Sequence, residues 1–334
     1  MTKRLLGSLE LNRIYQMDCI EGMRLLPDDS VDLIVIDPPY NIGKDKRWDK
    51  WRSVDNYVAW MTEVFRECER VLKPNGSFYW FHNDFTQIRK LMDAIDAETS
   101  FVFKQFITWG KIDGSFHNYG YVQQRLSVDG MRNYYNGFTE YCLFYTFHDD
   151  EILWLQNKIK PYKASSNLTY NEIGERLGIS GTAVKHWFDY PTQPRFPTKD
   201  NYEKLREIID IPFSYEELRE EYEKQRYPFH VAIVKDDLRA NSNVWLYPPA
   251  EKLGHITPKP VELIENIIRH SSNEGAIVLD CFMGSGTTAV AAARLGRNFI
   301  GFEREPEYVR LANQRLENVW DTEAERKLTQ DNEM

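Results

Sequence analysis

The sequence predicts a doubly wound, mostly parallel α/β sheet with an inserted, mainly helical region. Two stretches support this prediction, residues 31–41 and residues 276–303. Each contains a short aliphatic run that is too short for a core helix and is typical of a fully buried strand. Around them, further strand-like runs alternate with segments of helical periodicity, which is the order found in sheets covered by helices.

The elements follow one another with recognisable starts and stops. A short strand and a short helix are predicted in residues 12–29, and the buried strand follows at 31–36. Apolar residues at helical spacing predict an amphipathic helix over 56–72, ended by Lys73-Pro74-Asn75-Gly76. Residues 110–137 show no regular period and form either a functional loop or a poorly ordered segment. The remaining predicted elements are strands 77–81, 101–109, 140–147 and 277–280, and helices 84–95, 261–270 and 307–319.

The strand at 31–36 stops abruptly at Asp37-Pro38-Pro39-Tyr40. Two consecutive prolines end the hydrogen-bond ladder and stiffen the backbone. A carboxylate and an aromatic ring are therefore presented together at the carboxyl end of a central strand, the edge where open α/β sheets bind ligands. Taken alone, the tetrapeptide is equally compatible with an ordinary turn, in which aspartate is favoured.

Residues 276–303 read as a strand, a glycine loop, an alanine-rich helix and a second strand that ends at Glu303. Gly284 and Gly286 allow a ligand to approach the backbone closely, and Thr287-Thr288 are expected to cap the helix. Glu303 lies at the spacing of about 20 residues at which an acid binds ribose hydroxyls. On this evidence a nicotinamide-binding fold fits equally well.

Together, Asp37-Pro38-Pro39-Tyr40 and Phe282-Met283-Gly284-Ser285-Gly286 resemble the two defining motifs of the amino-group DNA methyltransferases, D/N/S-P-P-Y/F/W and F-x-G-x-G. The catalytic motif precedes the cofactor loop, an order that resembles the β group of that family. The resemblance covers the two ends of the chain and implies a Rossmann-like fold that binds S-adenosylmethionine. Ala289 stands where a dinucleotide fold has its third glycine, which favours the methyltransferase interpretation.

The resemblance also implies which residues bind the cofactor. Residues 255–260 are similar to the family's H-x-T-x-K-P segment, and Asp18 lies where family members carry an acid near the adenine ring. Asp18 is equally well explained as the cap of the helix that follows it. The predicted cofactor-binding residues are Asp18, Asp37, His255, Thr257, Lys259, Asp280, Phe282, Gly284, Ser285, Gly286, Thr287 and Glu303.

The predicted catalytic residues are Asp37, Pro38, Pro39 and Tyr40. The Asp37 carboxylate and the Pro38 carbonyl would each accept an N–H of the target amine, which localises its lone pair and stabilises the cation formed on attack. Tyr40 would stack on a base turned out of the helix. The expected product is N6-methyladenine, because aspartate at the first motif position usually accompanies adenine in this family. The alternatives are an N4-cytosine methyltransferase, an RNA or protein-glutamine methyltransferase, and a noncatalytic DNA-binding regulator.

Two segments are candidates for contact with DNA. Residues 41–53 carry Lys44, Lys46 and Arg47 among tryptophans, which suits a loop that closes over DNA, although a solvated loop is the alternative. Residues 169–188 resemble a helix-turn-helix, whose second helix enters the major groove. An ordinary pair of antiparallel helices is the alternative. The outward residues of this segment would be Gly181, Thr182, Lys185 and His186.

Composition limits the remaining possibilities. The net charge of −9 argues against a protein that coats DNA nonspecifically, although one basic face can still bind DNA. No run of about 18 apolar residues is present, and the four scattered cysteines suggest neither disulfides nor a metal site, so we expect a cytoplasmic protein without metal. We predict a catalytic domain from residues 1–150 and 233–334, with a helical target-recognition region at 151–232. The expected partner is double-stranded DNA, with a cognate restriction endonuclease and a second copy of the chain as further candidates.

Overall fold

The computed structural model describes residues 4–45, 47–111, 139–147, 151–189, 197–225, 242–250 and 258–331, without the side chains of 151–156, 222–225 and 321–331. The chain divides into two compact units. The first consists of Met1–Phe147 and Pro228–Met334, and the second of His148–Tyr227. Each unit is described by itself below.

The helices and strands have the following bounds. The strands of the first unit are β1 (Leu5–Leu6), β2 (Leu9–Glu10), β3 (Arg13–Gln16), β4 (Val31–Ile36), β5 (Leu72–His82), β6 (Val102–Gly110), β7 (Thr139–Thr146), β8 (Val244–Leu246), β9 (Ile277–Asp280) and β10 (Asn298–Glu303). The helices in chain order are α1 (Cys19–Met23), α2 (Val54–Val71), α3 (Phe85–Glu98), α4 (Glu151–Ser165), α5 (Tyr170–Leu177), α6 (Gly181–Lys185), α7 (Lys199–Ile209), α8 (Tyr215–Gln225), α9 (Val261–Ser271), α10 (Thr287–Arg294) and α11 (Pro306–Asp331). Helices α4 to α8 belong to the second unit.

The first unit is built on an eight-stranded sheet in the order β3-β10-β9-β4-β5-β7-β6-β8. Strands β3, β10, β9, β4 and β5 are parallel to one another, whereas β7 is antiparallel to both β5 and β6. Strand β4 lies between β9 and β5, so the carboxyl ends of β4, β9 and β10 meet at one edge. The predicted α/β class, mostly parallel with helices around the sheet, is confirmed.

The central strand is buried because its residues are aliphatic on both faces. Val31 and residues 33–36 of β4 are at most 1% exposed. Helix α2 covers one face, since its residues at helical spacing, including Tyr57, Met61 and Phe65, are completely buried in the same core. The predicted bounds of β4 and β9 agree with the structure to the residue.

Helix α2 ends next to Lys73–Gly76, as predicted, but the predicted start of the following strand at Ser77 is wrong. Helix α2 ends at Val71, and β5 begins at once with Leu72. Proline lacks the N–H needed for a regular ladder, and the register between β4 and β5 accordingly shifts between Val31 and Leu33. Lys73 secures this irregular start with an ion pair to Asp32, at 2.6 Å between Nζ and Oδ1.

The second unit contains the predicted pair of short helices. Helix α5 starts with a capping box of Thr169 and Glu172, and it ends at Gly178, whose φ of 70° is left-handed. Ser180 caps α6, which runs for only five residues. The corner is tight, because a β-carbon on Gly174 would meet the Ile179 carbonyl oxygen at 2.7 Å. The buried residues of the corner are Ile173, Leu177, Val184, Trp187 and Phe188.

Helices α7 and α8 complete the core of the second unit through Tyr202, Leu205, Ile209 and Leu218. The two helices are separated where Asp210 adopts a left-handed conformation. Residues 112–138, which contain most of the predicted irregular loop, lie outside the described part of the chain. Among the helices that the structure describes, none is long and apolar enough to cross a membrane.

Candidate active site

A cavity of about 370 Å³ opens at the carboxyl edge of the sheet. Its walls come from the residues that follow β4, β9 and β10, together with the start of α1 and the loop after Tyr40. This position follows from the topology, because parallel strands bring their carboxyl ends to one edge. The predicted site residues that line it are Asp18, Asp37, Pro38, Pro39, Tyr40, Lys44, Arg47, Lys259, Asp280, Phe282, Gly284, Ser285, Thr287 and Glu303.

The Asp37–Tyr40 motif is held rigidly at the end of β4. The Tyr40 hydroxyl donates a hydrogen bond to Asp37 Oδ1 at 2.6 Å. The Tyr57 hydroxyl donates to the Pro39 carbonyl at 2.7 Å, and the Tyr40 ring packs against His82 with 4.7 Å between ring centroids. Burial, together with the charges of Asp37 and Glu140, raises the pKa of Tyr40 well above its ordinary value, so its hydroxyl stays protonated and donates.

Lys259 lies against this carboxylate. Its ammonium forms an ion pair with Asp37 Oδ2 and lies 3.2 Å from both Glu140 Oε2 and the Tyr40 hydroxyl oxygen. Burial alone would lower the pKa of Lys259, but the charges of Asp37 and Glu140 raise it above its ordinary value. Lys259, which was predicted to contact the cofactor, therefore lies next to Asp37, the predicted catalytic carboxylate.

Glu140 on β7 is the main site residue that the sequence reasoning missed. It is 3% exposed and pairs with Lys259 and with Lys111. Although burial favours its neutral form, the charges of Lys259 and Lys111 lower the pKa of Glu140 to about 2. A signal was available, because an acid in the otherwise apolar strand Thr139–Thr146 needs a buried partner.

The glycine loop after β9 is fixed by Glu303. The Gly284 N–H donates to Glu303 Oε2 and the Glu305 N–H to Oε1, both at 2.8 Å. Gly286 has a φ of 82°, and a β-carbon there would meet Ala312 Cβ of α11 at 2.7 Å. Burial raises the pKa of Glu303. The acid at the end of β10 thus anchors the loop and also faces the cavity.

The prediction that Thr287 and Thr288 cap the following helix is wrong. Gly286 is the N-cap residue of α10 and makes no side-chain cap bond, since the threonines already lie inside the helix. Their hydroxyls bind elsewhere, with Thr288 donating to Asp280 Oδ2 at 2.6 Å and Thr287 donating to the Lys259 carbonyl at 3.3 Å. Asp280 is buried, which raises its pKa to about 7.

The position of Asp18 is compatible with both of its predicted roles, as a helix cap and as a cofactor contact. It caps α1 by accepting from the N–H groups of Ile20 and Glu21, and it lines the cavity. Ser285 is fixed from the other side by Arg315, which donates to its carbonyl at 2.7 Å and to its hydroxyl at 3.0 Å. Three predicted site residues, Lys46, His255 and Thr257, lie outside the described residues.

The loop after Tyr40 covers part of the cavity. The buried Asp49 organises it by accepting from the Lys44 N–H at 2.8 Å. Arg47 forms ion pairs with Asp45 in the loop and with Glu305 and Glu307 beyond β10. Lys44 lines the cavity, and burial lowers its pKa. Both of these cations, predicted to meet DNA, therefore lie along the cavity wall in this structure.

The remaining predicted DNA contacts lie in the second unit. Thr182 and Lys185 of α6 are exposed, whereas His186 is half-buried just after the helix. Exposure of the first two is compatible with the outward position expected from the sequence. Contact of this helix with DNA stays a prediction.

The central strand of this mostly parallel sheet ends in Asp-Pro-Pro-Tyr, and a glycine loop lies beside it. Both face one cavity, and this combination defines the class of the protein as an α/β methyltransferase. The same fold occurs in the Thermus thermophilus protein TTHA0409, solved in complex with S-adenosyl-L-methionine, with a TM-score of 0.54, 21% identity and coverage of 92% of this chain and 93% of that one. It also occurs in the cytosine-N4-specific PvuII DNA methyltransferase, with a TM-score of 0.55, 16% identity and coverage of 92% and 89%.

The chain belongs to the DNA methylase family, whose N6/N4 profile matches residues 31–314. It is 32% identical to the type II methyltransferase M1.MboII of Moraxella bovis over 91% of this chain and 96% of the relative. It is 30% identical to the DNA adenine methyltransferase YhdJ of Escherichia coli K12 over 92% and 83%. The protein is therefore an S-adenosylmethionine-dependent amino-group methyltransferase that acts on DNA, as the sequence motifs predicted.

Proposed function

We propose that the protein methylates the N6 amine of adenine at specific sites in double-stranded DNA, with Asp37 as the catalytic carboxylate. The observation that supports this assignment most directly is the shared cavity. Asp37 and Tyr40 line it from the end of β4, and Phe282, Gly284 and Glu303 line it from the ends of β9 and β10. One cavity can thus hold the methyl donor beside the group that binds the target amine.

The residues of the loop fit S-adenosylmethionine. Gly284 has a φ of 51° and lines the cavity, so its backbone is accessible to a ligand there. Gly286, with a φ of 82°, does not line the cavity, and the absence of its β-carbon instead makes room for Ala312 of α11. Each Glu303 oxygen accepts one backbone N–H and keeps a lone pair for a ribose hydroxyl. Phe282 supplies apolar surface and Asp18 a carboxylate for the adenine amine. When bound, the cofactor supplies an electrophilic sulfonium methyl group.

Asp37 and the Pro38 carbonyl prepare the nucleophile in the proposed mechanism. An exocyclic amine is a poor nucleophile because its lone pair is delocalised into the ring. Two acceptors that bind its two N–H bonds localise the lone pair and stabilise the positive charge that develops on nitrogen. The rigid attachment of the motif through Tyr57 and Tyr40 means that little reorganisation is needed on attack. Tyr40 supplies an aromatic face for a base that has left the duplex.

Adenine is favoured over cytosine by two independent facts. The first residue of the motif is Asp37, which usually accompanies adenine in the family. The relative YhdJ, which is named as a DNA adenine methyltransferase, aligns with 92% of this chain. The test is mass spectrometry of nucleosides from duplex DNA methylated in vitro. N6-methyladenine is expected, and N4-methylcytosine without methyladenine would refute the assignment.

The second unit, which overlaps the predicted recognition region 151–232, is proposed to read the DNA sequence. Its α5–α6 corner has the buried apolar residues and tight glycine packing of a helix-turn-helix, and α6 exposes Thr182 and Lys185. Exchanging residues 151–232 with those of a relative of different specificity tests this role. The hybrid is expected to methylate the donor's site, and unchanged specificity would assign recognition to another part of the chain.

We also infer a setting for the activity. M1.MboII is named as a type II methyltransferase, which supports a role beside a restriction endonuclease that cuts the same site. Because the substrate is DNA, we infer a cytoplasmic protein. Protection of methylated plasmid against nucleases encoded next to the gene tests the first proposal. Light scattering tests whether two copies associate, and a monomer at all concentrations would contradict the predicted homodimer.

A further inference from the structure

A line of four alternating charges ends at the proposed catalytic carboxylate. Asp37 pairs with Lys259, Lys259 with Glu140, and Glu140 with Lys111. The two inner members are the most deeply buried, with side chains 6% exposed at Lys259 and 4% at Glu140. The Tyr40 hydroxyl lies between the two carboxylates, 2.6 Å from Asp37 Oδ1 and 3.2 Å from Glu140 Oε2.

Both oxygens of Asp37 already accept hydrogen bonds in this structure. Oδ1 accepts from Tyr40 and Oδ2 from Lys259. Each oxygen keeps a second lone pair for the target amine, but the ammonium on Oδ2 neutralises the charge of the carboxylate. A cation in contact with Asp37 also opposes the reaction, because positive charge develops on the amine during attack and like charges repel strongly in a buried site.

Glu140 offers Lys259 a second position. The ammonium has three N–H donors, and Glu140 Oε2 lies only 3.2 Å from its nitrogen. A small rotation of the lysine side chain therefore exchanges one carboxylate for the other. The exchange leaves the ammonium paired throughout, so the cost of an unpaired buried cation is avoided.

We propose that Glu140 is a positioning residue, which draws Lys259 away from Asp37 so that the full carboxylate charge faces the target amine. The inference rests on the proposed catalytic role of Asp37. Without the Glu140 charge, Lys259 has Asp37 as its sole carboxylate partner among the described residues and stays on it. Asp37 is then a weaker acceptor, and its charge, neutralised by the ammonium, no longer stabilises the developing cation.

The test compares Glu140→Gln, Lys259→Met and the double variant with the wild type. The measurement is the single-turnover rate of methyl transfer to duplex DNA, with cofactor affinity from calorimetry. Glu140→Gln is expected to lower the rate about 100-fold and to leave cofactor affinity within about threefold, because its partner is the lysine on Asp37 rather than the cofactor. The double variant should be at least about tenfold faster than Glu140→Gln, since the clamping ammonium is gone.

The decisive comparison uses Lys259→Met as the background. Once Lys259 is absent, Glu140→Gln should change the rate by less than about threefold. This comparison does not require the single Glu140→Gln variant to fold. The double variant loses one negative and one positive charge, so its net charge equals that of the wild type. A large further loss in that background, or a wild-type rate for Glu140→Gln, overturns the proposal. If Asp37→Asn also keeps the wild-type rate, the proposed catalytic role fails instead.

Discussion

Replacing Asp37 by asparagine separates the charge of the carboxylate from its shape. The new side chain can still accept from the Tyr40 hydroxyl through its amide oxygen, so the motif keeps its geometry. What disappears is the negative charge beside the target amine and one of the two carboxylate partners of Lys259. We therefore expect Asp37→Asn to act mainly through the lost charge and not through a changed shape of the site.

The magnitude follows from these contacts. Losing one oriented group that stabilises developing charge costs about 2.7–4 kcal/mol, or about 10²–10³-fold in rate. Lys259 keeps Glu140, so the loss of folding free energy should stay near 1–2 kcal/mol, below the roughly 3–5 kcal/mol of a fully unpaired buried charge. Cofactor affinity should change by less than about tenfold, because Glu303 and the glycine loop are untouched.

Two measurements on one preparation test this expectation. Single-turnover transfer of labelled methyl to duplex DNA gives the rate, and calorimetry gives the cofactor affinity. Asp55→Asn is the matched control, since it makes the same change on α2 where the side chain is 84% exposed, and it should behave as the wild type. Equal losses of affinity and rate in Asp37→Asn would show that Asp37 serves the cofactor, and a rate within about tenfold of the wild type would refute its catalytic role.

Three further outcomes are expected. Glu303→Gln should weaken cofactor binding at least about tenfold, since its amide NH₂ would oppose a backbone donor such as the Gly284 N–H, and unchanged calorimetry would contradict this. Lys185→Ala with His186→Ala should weaken DNA binding and reduce the salt slope by about one, whereas wild-type binding would make α5–α6 a structural corner. Burial raises the pKa of folded Asp280 to about 7, so it keeps a proton that the unfolded chain releases near its ordinary pKa of 3.8. Stability should therefore fall by about 2–3 kcal/mol between about pH 5 and pH 7, and by less in Asp280→Asn, as followed by urea unfolding.

The local sequence was sufficient to predict strands that are buried on both faces. Strands β4 and β9 were correct to the residue, because an aliphatic run buried on both faces has one stable arrangement. The start of β5 was not predicted, since Pro74 and Gly76 usually end a strand and the decisive factor is pairing with β4. A neighbour that is distant in sequence thus overrides the local signal.

The site shows the same limit. The motif and the glycine loop were visible because their chemistry is confined to a few consecutive residues. The Lys259–Asp37 contact joins residues 222 positions apart, and Glu140 meets Lys259 only after β7 has inserted between β5 and β6. Glu303 was predicted to bind ribose, but its two hydrogen bonds to backbone N–H groups depend on how β10 places it beside the loop.

The neighbours of β4 reach it at very different times during synthesis. Strand β5 follows within the same stretch of chain, but β9 arrives much later, as the bond from the Ile277 N–H to Asp32 spans 245 residues. At ribosomal rates of about 5–20 residues per second, one aliphatic edge of the growing sheet stays open for about 10–50 s. Open edges pair with other chains. The yield of active enzyme in a cell should therefore depend on expression temperature and on chaperones that shield this edge, even where the finished protein is stable.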